Sequence, residues 1–153
     1  MLYFKLLGME INLNCDLGEK SKHHSNENDP ELLKIVNSAN VACGYHAGDE
    51  QTMQEVVKIS KENNVSIGAH PSFKDPENFG RKRMDLSASE ITKLVTDQYE
   101  ILQNIASLQG EKVSHIKPHG ALNNMACEDL ELATTLAKTI YHLSLIHISE
   151  PTR

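Results

Sequence analysis

The stretch Ser38-Ala-Asn-Val-Ala-Cys-Gly-Tyr-His-Ala-Gly-Asp49 contains a complete junction between a strand and a helix. Its first six residues are small and mostly apolar, which is typical of a buried strand in a parallel sheet. Two glycines then break the strand on either side of His46. Asp49 is a suitable N-cap, because apolar residues recur at helical spacing from Met53 to Ile59. The stretch therefore predicts a β-strand, a loop and an α-helix.

Three similar units lie around this one. The predicted strands are Glu10–Cys15, Ser38–Cys43, Val65–Ala69 and Val113–Lys117. The predicted helices begin at the N-cap Asp29 followed by Pro30, at Asp49, at the capping box Ser87-Ala-Ser-Glu90 and at Asp129, the last two ending near Leu108 and Tyr141. Strand and helix thus alternate, which predicts parallel strands with right-handed crossovers. The fold class is α/β, either an open sheet or part of a barrel.

The composition excludes several classes of protein. The 153 residues include 15 Lys and Arg against 21 Asp and Glu, a net charge of −6, which is unlike a basic nucleic-acid binder. No stretch approaches the roughly 20 apolar residues that a membrane span requires. Cys15, Cys43 and Cys127 form no CxxC pair and are odd in number. Neither a zinc knuckle nor a disulfide framework is expected, and a reducing cytoplasm fits best.

Polar side chains lie at the carboxyl end of every predicted strand. They are Asn14, Asp16, His46, Asp49, His70, Lys117 and His119. In a parallel α/β fold these strand ends meet on one face, where ligands bind and catalysis occurs. A lone loop histidine is usually a solvated or satisfied residue, and this interpretation holds for His23, His24, His115 and His142. Three histidines at the same position in successive units instead indicate a functional site.

Two kinds of chemistry remain open for this face. Asp16 with His46, His70 and His119 could hold a divalent metal that activates water or polarises a carbonyl. Without a metal, a carboxylate could act as general base while a histidine or Lys117 stabilises an oxyanion. No Walker A or GxGxxG pattern is present, so any ATP is expected to bind another chain.

Other polar or reactive residues near this face have weaker signals. In the loop segment Gly80-Arg-Lys-Arg83, Arg81 or Arg83 could bind a carboxylate through two hydrogen bonds. The competing interpretation is that these side chains are simply solvated. Cys15 and Cys43 are expected to pack in apolar surroundings, because neither has an identifiable partner as a nucleophile. Turn geometry with positive φ is the expected role of Gly18, Gly44, Gly48, Gly68 and Gly120.

Five motifs together resemble the LamB/YcsF family. They are Asn12-Leu-Asn-Cys-Asp-Leu-Gly-Glu19, Ser38 to Asp49 as quoted above, Ile67-Gly-Ala-His-Pro-Ser72, Phe79-Gly-Arg81 and His115-Ile-Lys-Pro-His-Gly-Ala-Leu122. The resemblance implies the N-terminal part of a distorted (β/α) barrel of the glycoside hydrolase/deacetylase type, with about four βα units. It also implies cleavage of the lactam of 5-oxo-L-proline to L-glutamate, coupled to hydrolysis of ATP with Mg²⁺, in a complex with 5-oxoprolinase subunits B and C.

The motif matches also imply roles for individual residues. Asp16, His46, His70, Lys117 and His119 are expected to be catalytic, and Asn14, Glu19, Asp49 and Arg81 to bind substrate. The chain departs from the family pattern at Asn123, where tyrosine is usual, and at Lys20-Ser-Lys-His-His24, which lacks the usual glycine and aromatic residues. The rival functions are an ATP-independent, metal-dependent amidohydrolase or deacetylase and a non-catalytic module that binds a small acid.

The two ends of the chain are expected to lie outside the domain, which spans residues 9–142. Residues 1–8 are interpreted as an upstream extension before Met9. Leu143-Ser-Leu-Ile-His-Ile-Ser-Glu-Pro-Thr-Arg153 reads as the translation of a transposon adaptor used in sequencing libraries, so we expect no function for His147. Because a (β/α)₈ barrel needs about 250 residues, about half of the fold is expected here. Open sheet edges and an apolar inner surface would then favour aggregation.

Overall fold

A computed structural model describes residues 5–6, 9–22 and 24–145. Its strands are β1 (Lys5–Leu6), β2 (Met9–Glu10), β3 (Asn14–Leu17), β4 (Ser38–Ala42), β5 (Ser66–His70) and β6 (Val113–Ile116). Its helices are α1 (Asp29–Leu32), α2 (Glu50–Glu62), α3 (Ala88–Leu108), α4 (Gly120–Glu128) and α5 (Leu130–Leu145), with a 3₁₀ turn at Pro76–Asn78. His23, most of the proposed adaptor-derived tail and part of the proposed upstream extension lie outside the described residues.

Four parallel strands form the main sheet in the order β3-β4-β5-β6. Each crossover therefore advances one position in the same direction, as in a (β/α) barrel, whereas a doubly wound sheet reverses its strand order. The register places Asp16 opposite Asn40 and Ala42 opposite His70, so their carboxyl ends lie together. The predicted α/β class is confirmed.

The first predicted strand begins too early. Glu10–Cys15 was expected as one strand, but the sheet strand β3 covers Asn14–Leu17, and Met9–Glu10 pairs antiparallel with Lys5–Leu6 instead. The reason is the register of β4, which starts at Ser38 opposite Asn14 and leaves the preceding residues no parallel partner. Alternating polarity predicts an extended chain but does not show which strand will pair with it.

The helix starts follow the predicted capping pattern at three places. Asp49 Oδ1 accepts hydrogen bonds from the Thr52 backbone N–H and hydroxyl. Ser87 and Glu90 form the expected capping box of α3. Asp129 Oδ1 accepts from the backbone at the start of α5. Even α3, the longest described helix at 21 residues, is not long and apolar enough to cross a membrane, and the same holds for the other described helices.

One prediction about the helices was wrong, and one helix was missed. Asp29 is not an N-cap, because Asn28 occupies that position and the Asp29 carboxylate accepts a hydrogen bond from Gly18 N–H at 2.7 Å. Helix α4 was not predicted, because its nine residues begin at a glycine and its N-cap residue, His119, makes no side-chain capping hydrogen bond. Short helices of this kind give little periodic signal.

The two faces of the sheet differ in chemistry. One face packs against α2 and α3 through buried apolar side chains, namely Leu17, Ala39, Val41, Ile67, Ala69 and Val113 from the strands with Val56, Val57, Val95 and Leu102 from the helices. The other face lines an open cavity of about 550 Å³ with polar residues, including Asn14, Ser38, Asn40, Ser66, Ser114, His115 and Lys117. The prediction of an apolar inner surface was therefore wrong. Small apolar residues alternate with polar ones along these strands, and the polar ones lie on this face.

Candidate functional site

Four side chains with metal-ligand chemistry converge at the carboxyl ends of the strands. Glu19 follows β3, His46 follows β4, His70 ends β5 and His119 follows β6. One potential ligand atom from each lies within 4.8 Å of all the others. The three histidines are 0%, 1% and 8% exposed, respectively. We call these residues the Glu–His₃ cluster.

Backbone carbonyls fix the tautomers of two histidines in the cluster. His70 Nδ1 lies 2.6 Å from the Lys117 carbonyl oxygen, and His119 Nε2 lies 2.9 Å from the Phe79 carbonyl oxygen. A carbonyl only accepts, so each of these nitrogens carries a proton. In the neutral rings the inner nitrogens, His70 Nε2 and His119 Nδ1, then carry lone pairs that face each other at 3.0 Å. Such a pair is favourable only with a cation between the nitrogens, either a proton or a metal ion.

The Glu19 carboxylate supplies negative charge to the same point. Its Oε1 lies 3.1 Å from His46 Nε2, 3.3 Å from His119 Nδ1 and 3.7 Å from His70 Nε2. Burial alone would raise the pKa of Glu19, but the hydrogen bond with His46 and the nearby imidazoles lower it overall. The carboxylate is therefore ionised at neutral pH.

Two imidazoles of the cluster stack on each other. The His46 and His119 rings lie 3.9 Å apart between centroids at an angle of 10°. Burial is the largest cause of the lowered pKa of each ring, and the neighbouring imidazoles lower it further. Both rings are thus neutral near pH 7 and keep the lone pairs that a metal ligand needs.

Asp16 and Lys117 form an ion pair beside the cluster. Lys117 Nζ donates to the two Asp16 carboxylate oxygens at 2.6 and 2.7 Å, and Asn40 Nδ2 donates to Oδ1 at 2.8 Å. Burial raises the pKa of Asp16, but the nearby His70 imidazole and the hydrogen bonds from Lys117 and Asn40 outweigh it and hold the pKa well below its usual range. The Glu–His₃ cluster thus contains Glu19, whereas the sequence suggested Asp16 as the carboxylate with the three histidines.

The segment Phe79-Gly80 forms the wall of the cluster. Phe79 has a left-handed φ of 56°, which turns its carbonyl oxygen toward His119 Nε2. Gly80 has a φ of 65°, and a Cβ built there would overlap Ser72 Oγ and lie 2.9 Å from His46 Cβ. Only glycine fits this position without displacing a residue of the cluster.

Two buried polar side chains hold the loops that carry the ligands. Gln98 Oε1 accepts from Ser72 N–H at 3.0 Å and its Nε2 donates to Ser72 O at 2.8 Å, so it pairs with both backbone groups of that residue. Asp29 similarly holds the Gly18 peptide, next to Glu19. Gln98 lies within a helical pattern, where no local signal marks its role. Asp29 was interpreted only as a helix cap.

Three predicted substrate-binding residues lie apart from the Glu–His₃ cluster. Asn14 accepts a hydrogen bond from Asn40 on the polar face of the sheet. The Asp49 carboxylate caps α2. The Arg81 guanidinium lies 5.3 Å from the centre of the Phe79 ring. The fourth, Glu19, is in the cluster itself.

Two other histidines and the second loop arginine named in the sequence analysis make their contacts outside the Glu–His₃ cluster. His115 Nε2 lies 3.0 Å from Asn40 Oδ1, and its ring packs where a Gly68 side chain would be, so Gly68 serves close approach rather than positive φ. The His24 ring stacks on Phe79 at 4.2 Å, and Arg83 pairs with Glu128 at 2.7 Å.

Cys43 does not suit the role of a nucleophile. It lies in the apolar core, and its thiol donates to the Val41 carbonyl oxygen at 3.2 Å. Burial raises the pKa of Cys43 to about 12. The thiol therefore stays protonated at neutral pH, whereas nucleophilic attack requires the thiolate.

Comparison with known proteins places this site in a family context. The chain is 44% identical over 133 residues to the A subunit of 5-oxoprolinase from Staphylococcus carnosus, and 48% identical over 134 residues to that from Bacillus mycoides. These alignments cover 87% and 88% of this chain and 53% of each relative. The chain thus spans about half the length of the curated relatives it matches.

A solved structure and a family model agree with these matches. The crystal structure of the lactam utilization protein from Thermus thermophilus superposes with a TM-score of 0.83 at 38% identity, covering 88% of this chain and 55% of that one. The predicted part of a distorted (β/α) barrel is confirmed by this likeness and by the sheet order. The LamB/YcsF family model matches residues 11–152. The chain belongs to the LamB/YcsF family.

Proposed function

We propose that this chain is part of a 5-oxoprolinase subunit that cleaves the lactam of 5-oxo-L-proline to L-glutamate, coupled to ATP hydrolysis. The observation that carries the proposal is the Glu–His₃ cluster, whose four ligand atoms converge in a chain similar to proteins named as the A subunit of 5-oxoprolinase. Because the chain spans about half of those relatives, the activity is proposed for the whole protein. Asp16, His46, His70, Lys117 and His119 are its proposed catalytic residues.

The donor set of the cluster fits a divalent metal ion. Neutral imidazoles with one carboxylate are common ligands of such ions, and the outer nitrogens of His70 and His119 make the backbone hydrogen bonds that usually orient metal-bound histidines. A bound ion would act as a Lewis acid toward a carbonyl oxygen or a water molecule. Glu19 Oε1, His46 Nε2, His70 Nε2 and His119 Nδ1 would hold it.

The ion pair beside the cluster supplies the remaining groups. Lys117 is about half exposed, so its Nζ can turn from Asp16 to a lactam oxygen on which negative charge develops. Once Lys117 turns away, the Asp16 carboxylate, 3.4 Å from His70 Nε2, loses an ion pair that lowers its pKa and can accept a proton from an attacking water molecule. The Phe79 ring, which is buried and packs edge-on against His46 and His119, shields these two ligands from bulk water.

ATP enters the proposal through the partner subunits. An unstrained lactam resists hydrolysis, so transfer of the terminal phosphoryl group of ATP to the lactam oxygen would activate the carbonyl carbon. Water would then add to that carbon, and the C–N bond would break as the nitrogen takes up a proton, which leaves an acyl phosphate. Hydrolysis of this acyl phosphate would release phosphate and L-glutamate. The sequence given contains no Walker A or GxGxxG pattern, so we propose that ATP, with Mg²⁺, binds at the level of the complex with subunits B and C. The three cysteines are free thiols, which agrees with a cytoplasmic location.

The test is release of glutamate from 5-oxo-L-proline by the full-length protein assembled with subunits B and C. We expect release only with ATP, and its loss in His119→Ala together with loss of bound divalent metal. His142→Ala, an exposed histidine on α5, is the matched control and should behave as wild type. Full activity of His119→Ala would refute the proposed site.

A second candidate follows from the same cluster, because all four ligands belong to this chain. A metal-dependent amidohydrolase or deacetylase would act with a divalent metal and without ATP or partners. Turnover under those conditions would replace the first proposal. Binding of a small acid without turnover under either condition would identify a non-catalytic module.

A further inference from the structure

A second, smaller cavity adjoins the Glu–His₃ cluster. It has a volume of about 180 Å³ and shares His46 with the cluster. Its other lining residues come from the segment after Glu19, from the loop around His46 and from the 3₁₀ turn. They include Lys20, Ser21, Lys22, Gly44, Gly48 and Glu77. A cavity of this size accommodates a small organic acid but not a nucleotide.

Two lysines give the cavity a net positive charge. The lining includes Lys20, Lys22 and one carboxylate, that of Glu77, and Lys20 also lies close enough to Asp49 to lower the pKa of that carboxyl. Within the ranges that the structure covers, no ion pair involves either ammonium group, although Lys34, Lys61, Lys93 and Lys117 all form one. The two ammonium groups are therefore available to a ligand.

His46 adds a buried polar atom that lacks a partner. The side chain is fully buried, its Nε2 contacts Glu19, and its Nδ1 makes no hydrogen bond to any described residue. If Nε2 serves the cluster as a ligand, the ring proton must lie on Nδ1. A buried N–H without an acceptor is unfavourable, and a carboxylate oxygen would satisfy it.

We infer that this cavity binds the carboxylate of the substrate, with Lys20 and Lys22 as the cationic contacts and His46 linking the carboxylate subsite to the reacting lactam. This inference rests on the proposed function, because the ligand class is a small cyclic amide that carries a carboxylate. Lys20 and Lys22 would therefore act as specificity-determining residues for a lactam that carries a carboxylate.

The test is calorimetric binding of 5-oxo-L-proline, 2-pyrrolidinone and L-glutamate to the full-length, metal-loaded protein. 2-Pyrrolidinone has the lactam and no carboxylate. In Lys20→Ala/Lys22→Ala we expect about tenfold weaker binding of 5-oxo-L-proline, since each exposed ion pair contributes up to about fivefold. Binding of 2-pyrrolidinone and the metal content should not change. Lys58→Ala, an exposed lysine on α2, is the matched control.

Each outcome of this experiment has a distinct meaning. Wild-type affinity for 5-oxo-L-proline in the double variant would overturn the subsite. Failure of every carboxylate to bind the wild-type protein would overturn it as well. Lysine-dependent binding of L-glutamate without binding of 5-oxo-L-proline would support the carboxylate subsite and refute the proposed substrate.

Discussion

Replacing Gly80 by alanine tests whether the wall of the Glu–His₃ cluster is as tightly packed as the geometry indicates. The new Cβ would overlap Ser72 Oγ and approach His46 Cβ at 2.9 Å and His119 Cδ2 at 3.1 Å. The φ of 65° is also unfavourable for alanine. The substitution therefore combines backbone strain with overpacking against two residues of the cluster.

The magnitude follows from these two effects. A left-handed conformation costs alanine about 1–2 kcal/mol relative to glycine. Overpacking of a closely packed region adds about 1–3 kcal/mol. We therefore expect the free energy of unfolding of Gly80→Ala to fall by about 2–5 kcal/mol. Displacement of His46 and His119 should weaken divalent-metal binding about tenfold or more, as is usual when the surroundings of metal ligands are altered.

Gly44→Ala is the matched control for backbone strain. Gly44 also has a positive φ, 83°, but a Cβ there would meet nothing within 4 Å. It should lose only about 1–2 kcal/mol and keep its metal affinity. Denaturant unfolding and metal titration of both variants give the comparison. Equal losses of stability and unchanged metal affinity in both would refute the packing argument.

Two further substitutions test the residues that hold the ligand loops. Burial raises the pKa of Asp29, so ionisation destabilises the folded protein as the pH rises above the ordinary aspartate pKa of about 4. Asp29→Asn keeps an acceptor without the charge, so the free energy of unfolding of the wild type should fall relative to that of Asp29→Asn as the pH rises above about 4; parallel pH profiles would contradict this. Gln98→Glu replaces the donor to Ser72 O with an acceptor and should cost about 2–4 kcal/mol in denaturant unfolding, whereas exposed Gln51→Glu should change stability by less than about 0.5 kcal/mol.

Local sequence patterns were sufficient for most of the fold. Parallel strands with helices between them followed from alternation, and the caps at Asp49, Ser87 and Asp129 depend on side chains that bond to their own helix start. The errors concern longer-range partners. Asp29 bonds to Gly18, eleven residues away, and the start of β3 depends on the register with β4. Neither can be read from a single segment.

The three histidines of the cluster were predictable because strand topology alone brings their positions together. The choice of carboxylate was not, because Asp16 and Glu19 belong to the same motif and both lie near His70, at 3.4 and 3.7 Å. Lys117 and Asn40 donate hydrogen bonds to Asp16, whereas Glu19 contacts all three histidines. These contacts depend on how three strands lie beside one another, which the spacing of residues along the sequence does not show.

Backbone atoms determine which nitrogen of two cluster histidines can bind a metal ion. The carbonyl oxygens of Lys117 and Phe79 set which nitrogen of His70 and of His119 is free, and any residue type could supply a carbonyl. What the sequence does encode is the backbone path, through Gly80 and through the pairing of Gln98 with Ser72. Loss of metal affinity in Gly80→Ala would therefore show that the cluster depends on loop conformation as well as on its four ligands.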